Sequence, residues 1–211
     1  MEQKRTLYQD AIRLLFILTH GSKPLNSMDD DFSAAIFPGK TRLHAMDFWV
    51  RYPDYLAFEM ISLYKTGGQE RLLSEAERIF ESSEPDLRRI PMIRYKFGAF
   101  ERIDDALSAL VSKGLIRISG KKRGQDISEV DYLISEHALR LIQAIPRNFP
   151  ELGWYERRAR LVVEISGNRK GRVLKERQYE LIAYAGTKLG GVIPSIAEEV
   201  KRQIEELRKA A

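Results

Sequence analysis

Between Phe100 and Ile145 the apolar period changes twice, and that change constrains the fold more than any other feature of the chain. Phe100, Ile103, Leu107, Leu110 and Val111 recur at helical spacing. Gly114 stands where a left-handed C-cap residue belongs. Leu115-Ile116-Arg117-Ile118 then reads as a short strand, Gly120-Lys121-Lys122-Arg123-Gly124 as a turn, and Val130 to Ile134 as a second strand. Ser135 is placed to cap a further helix whose inner face is Ala138, Leu141, Ile142 and Ile145.

Helix, strand, basic turn, strand, helix is the order of the second half of a winged helix-turn-helix. The runs LVSKGLIRI from Leu110 and VDYLISEHALRLI from Val130 resemble that superfamily. The expected fold class is mainly α with a small β-wing, a winged helix-turn-helix module flanked by N- and C-terminal helices. Three consecutive regions are expected: an N-terminal helical region over 1–90, the winged-helix module over 91–146, and a C-terminal helical region over 147–211.

The flanks are helical by the same reasoning. Leu7, Ala11, Leu14, Leu15 and Leu18 form one stripe, and Ile12, Phe16 and Ile17 fill other faces, so this first helix should be surrounded by protein. Residues 21–39 read as a loop. Helices follow from Thr41 to Tyr52, from Pro53 to about Tyr64, and over 70–80, with a linker from Glu81 to Pro91. Two more run from about Leu152 to Ile165 and from Arg172 to Ala185. Pro194 opens a terminal helix striped by Ile196, Val200, Ile204 and Leu207, which either caps the body or docks on a partner. Phe48, Trp49, Tyr52 and Tyr55 crowd two short helices, spread wider than one stripe, and mark a candidate partner interface.

The chain has 211 residues, none of them cysteine, which removes disulfides, thiolate metal sites and cysteine nucleophiles. No stretch is apolar over the length a membrane span needs, and the expected location is cytoplasmic. His20, His44 and His137 lie far apart. Gly39-Lys40-Thr41 matches the end of a phosphate-binding loop, but Ala34 occupies the position of its first glycine. Asp29-Asp30-Asp31 lacks the alternating ligands of a calcium loop. No catalytic set, metal site or cofactor emerges, and the chain reads as non-enzymatic.

Charge is unevenly spread. The net is −2 over residues 1–112, +7 over 113–177, and zero over 178–211. Glu101, Asp104 and Asp105 load the helix that would read bases, and phosphates repel them. The cations sit elsewhere: Lys121, Lys122 and Arg123 on the wing, then Arg157, Arg158, Arg169, Lys170 and Arg172. They suit contact with the backbone of double-stranded DNA irrespective of sequence.

Two segments resemble a specific family. The run from Arg42 to Leu56 (RLHAMDFWVRYPDYL), and Met92 to Gly98 (MIRYKFG) continuing to Lys113–Ile116, are similar to the middle components of ABC-three-component systems, which include the Lamassu defence complexes. Ala99-Phe100 stands here where that family often has Pro-Trp. The resemblance implies a non-catalytic middle subunit of an SMC-like ATPase complex acting against phage or plasmids. Its partners would be the ABC ATPase and a nuclease-type effector. The alternative expectation is a winged-helix transcription regulator.

Overall fold

The computed structural model describes residues 7–25, 32–82, 91–95, 98–100, 102–123 and 126–210, with the side chains of Gly98, Phe100, 121–123 and 126–129 outside the description. In chain order the elements are α1 (Leu7–His20), β1 (Lys23–Pro24), β2 (Ser33–Phe37), α2 (Lys40–Arg51), α3 (Pro53–Lys65), α4 (Glu70–Glu81), β3 (Ile93–Tyr95), β4 (Gly98–Phe100), α5 (Asp104–Ser112), β5 (Ile116–Arg123), β6 (Asp126–Ser135), α6 (Glu136–Asn148), α7 (Gly153–Ser166), α8 (Gly171–Tyr179), α9 (Ile182–Ala185) and α10 (Ala197–Ala210). The protein is mainly helical with a small antiparallel four-stranded sheet.

Two units divide these elements: residues 1–47 with 102–172, and residues 48–101 with 173–211. Neither is continuous in sequence, so the three consecutive regions expected from the sequence do not correspond to them. Two of the three boundaries fall inside α2 and α8, where no change of composition marks them, and the third lies between β4 and α5.

In the first unit α1 is the central helix. Leu14 to Leu18 are all buried, because α5, α6, α7, β2 and β6 pack around it. The sheet order is β1-β2-β6-β5. Strand β2 lies in the stretch expected to be loop. Its alternating burial at Ser33, Ala35 and Phe37 shows why it forms, and β6 supplies its partner, with Ile36 opposite Leu133 and Phe37 opposite Tyr132. The β5–β6 hairpin is where the sequence placed it, but longer. Gly114 adopts φ +64° after α5, and Leu115 N–H closes on Leu110 O at 3.0 Å. Ser135 caps α6, its Oγ accepting from Ala138 N–H at 3.1 Å.

In the second unit α3 packs on α4, and α10 lies across both, burying Val200 and Ile204. The terminal helix therefore covers its own unit. The Asp54 carboxylate accepts from Ile196 N–H at 2.8 Å and Ser195 Oγ–H at 2.7 Å, tying the start of α3 to the approach to α10. Strands β3 and β4 pair, and Ile93 also bridges to Val192. The helix expected over Arg172 to Ala185 is two, α8 and α9. Residues 83–90 of the expected linker lie outside the described residues. No helix among the described residues is long and apolar enough to cross a membrane.

Candidate nucleic-acid interface

The aromatic residues assigned to a partner surface are core residues. Phe48, Trp49, Tyr52 and Tyr55 are all exposed by 2% or less. Phe48 stacks on Tyr52 at 4.7 Å and meets Tyr55 and Tyr184 edge-on. The tyrosine hydroxyls bond inward: Tyr55 Oη donates to Pro194 O at 3.0 Å, and Tyr52 Oη accepts from Met92 N–H at 3.0 Å. Their wide angular spread reflects burial from several sides. They cannot serve as a free docking surface without the second unit opening.

The cations separate into distinct groups. Arg157 is exposed on α7. Arg158 is not available to DNA. It lies on the inner stripe of α7 with Ala159, Val162 and Ile165, 4% exposed, its guanidinium 5.4 Å from the Trp154 ring. Arg169 is half-buried and turned back on its own helix end. Its Nε donates to Ser166 O at 3.1 Å, and a second donor reaches Ile165 O. Lys170 and Arg172 are exposed. Lys121, Lys122 and Arg123 belong to strand β5 and not to a turn. The strand register sets Lys121 opposite Glu129 and Arg123 opposite Asp126.

Helix α5 presents Asp104, Asp105, Ser108, Val111 and Ser112 to solvent, while Ala106, Leu107 and Leu110 are buried. Asp104 pairs with Lys40 at 3.5 Å, both groups well exposed. Glu101 lies outside the described residues. Beneath this end, Tyr132 is buried with its hydroxyl unpartnered, and burial together with the Asp104 charge pushes its pKa up to about 12.

One arginine organises the opposite loops. Arg42 is 7% exposed. Its guanidinium donates to Gly21 O at 3.0 Å and Gly167 O at 3.1 Å and lies 5.1 Å from the Phe37 ring centre. It thus satisfies carbonyls at the C-terminal ends of α1 and α7 together. Burial lowers its pKa from the ordinary arginine value. Gly171 closes the same junction: a Cβ there would stand 2.4 Å from Arg42 N. Three loops that are distant in sequence, 21–23, 38–41 and 167–172, meet here. The chain gives no local signal of it beyond the Gly39-Lys40-Thr41 triplet, whose lysine the linear reading left without a role.

No protein-family model, curated protein or solved structure matches the chain.

Proposed function

We propose that this chain is a non-catalytic middle subunit of an SMC-like ATPase complex of the ABC-three-component type, bridging the ATPase to a nuclease-type effector and touching double-stranded DNA without sequence preference. The carrying observation is the connectivity of the first unit. Apart from the two-residue β1 on the sheet edge, its elements run α1, β2, α2, α5, β5, β6 before α6 and α7, and β6 lies between β2 and β5. That helix-strand-helix-helix-strand-strand order, with the last strand central, supports the winged-helix reading. On this reading the segment from Phe48 to Glu101 is inserted between the second and third helices of the winged helix.

The solvent face of α5 supports a role other than base reading. It carries two carboxylates, two serines and a valine, and no Arg, Lys, Asn or Gln with which side chains recognise guanine and adenine edges. A winged helix with such a face serves as a scaffold. The sequence segments resembling middle components, Arg42 to Leu56 and Met92 to Gly98, fall on α2–α3 and β3–β4.

Tagged chain expressed from its native gene cluster is expected to co-purify with a coiled-coil ATPase encoded beside it. A chain that purifies alone and binds one promoter-like duplex over others contradicts the proposal and favours the regulator.

A further inference from the structure

The geometry points to the Arg42 junction as the principal phosphate-binding surface of the chain for duplex DNA; this rests on the proposed non-specific DNA contact and assigns it a place. Six cations belong to the converging segments: Lys23, Lys40, Arg42, Arg169, Lys170 and Arg172. Lys23, Lys40, Lys170 and Arg172 are exposed, Arg169 is half-buried, and Arg42 is the buried tie beneath them. Among the described residues, Asp104 and Asp131 are carboxylates that touch these segments, and Arg169 and Arg172 hold protein contacts as well. Asp104 pairs with Lys40, and Asp131, only 3% exposed, accepts Gly39 N–H at 3.0 Å. Segments 21–23, 38–42 and 167–172 carry no acidic residue of their own.

Such an excess held by a fixed tie differs from a scatter of surface lysines. Arg42 fixes Gly21 against Gly167, and Gly171 lets the backbone of α8 reach the start of α2. The cations on each loop therefore keep their spacing without a ligand. A polyanion bound there releases counterions without first having to order the loops. The wing is the weaker candidate, because its register sets acidic residues opposite two of its three cations.

The partner is the phosphate backbone of duplex DNA. The test is a fluorescence anisotropy titration of the full chain on two unrelated duplexes of 30 base pairs, repeated from about 50 to 200 mM salt, a range over which phosphate contacts dominate the change. The junction variant is Lys23→Gln with Lys170→Gln and Arg172→Gln. The comparison variant is Lys121→Gln with Lys122→Gln and Arg123→Gln. Removing three contacts should flatten the slope of log affinity against log salt by roughly 3 and weaken binding at least roughly ten-fold on both duplexes. A variant that keeps the charges, Lys23→Arg with Lys170→Arg and Arg172→Lys, should bind like the parent, which separates lost charge from lost folding. A junction variant equal to the parent, with the wing variant weakened, overturns this assignment and leaves non-specific DNA contact standing. Failure of the parent chain to bind either duplex overturns both.

Discussion

Arg13 Nε donates to Asp47 Oδ1 at 2.7 Å, and both side chains are at most 1% exposed. The pair joins the middle of α1 to α2 inside the first unit, and Asp10 adds a second carboxylate on the rim. Burial works against the charge of Arg13, and the two carboxylates outweigh it, so the guanidinium titrates above its usual range. Removing Asp47 takes from Arg13 its buried counter-charge and leaves it the Asp10 carboxylate on the rim. Asp47→Ala is expected to cost about 3–5 kcal/mol, whereas Arg13→Met combined with Asp47→Leu recovers most of that loss. Urea unfolding of the two single variants and the double variant measures it. Equal losses in the single and double variants would show that the charges matter little.

Gly171→Ala tests the close approach at the junction. The added methyl group would meet backbone at 2.4 Å and 2.8 Å, not the flexible end of a side chain. About 1–3 kcal/mol of destabilisation is expected from such overpacking. Gly167→Ala is the comparison. It meets nothing closer than 4.0 Å but sits at φ +53° and ψ −143°, so its cost of about 1–3 kcal/mol is backbone strain without a clash. A thermal melt of Gly171→Ala matching the parent would contradict the packing described.

His20 should make stability depend on pH. Burial foremost, then the nearby Arg160 charge, lowers its pKa to about 4, while Glu156 pulls the other way. The folded state therefore keeps the imidazole neutral where the unfolded chain, with a pKa near 6.5, takes up a proton. The contribution is fully present above about pH 6.5 and is lost as the pH falls towards 4. His44 is lowered too, chiefly by burial, and adds in the same direction. In His20→Leu the fall in urea midpoint between pH 7 and pH 5 is expected to be smaller than in the parent. An unchanged fall assigns the effect elsewhere.

Tyr55→Phe should weaken the second unit without altering partner binding. The hydroxyl bond to Pro194 O is worth about 1 kcal/mol, and the ring remains packed against Phe48 and Tyr184. Its unfolding midpoint should drop while yield of any co-purified ATPase holds at temperatures where both proteins stay folded. Loss of the partner with an unchanged midpoint would restore these aromatics as an interface.

The β5–β6 hairpin and the helices on either side were legible because their signals are local: a glycine at a left-handed position, a serine cap, and apolar residues within a few positions of each other. Strand β2 was not. Ser33–Phe37 has two alanines and a partner far down the chain, so nothing nearby marks it as a strand. Two of the three unit boundaries were hidden for a similar reason, since they interrupt the continuous helices α2 and α8. Arg157-Arg158 read as one basic feature, yet one step along α7 turns Arg157 to solvent and Arg158 to the core. The aromatic run misled because a buried helix hydrophobic on several faces and a helix with an exposed binding face have the same composition. The Arg42 junction shows in the sequence only as the separate Gly39-Lys40-Thr41 triplet and the Arg169–Arg172 cations, because it is assembled from segments at both ends of the first unit.

The most direct measurement of the proposal that α5 does not read base sequence is a titration of Asp104→Asn with Asp105→Asn on two unrelated duplexes. Removing these carboxylates relieves repulsion and frees Lys40 from its pairing with Asp104. Equal or tighter binding on both duplexes is the expected result. Weaker binding, or a preference for one duplex that the substitutions abolish, would mean that α5 reads bases and would contradict the account.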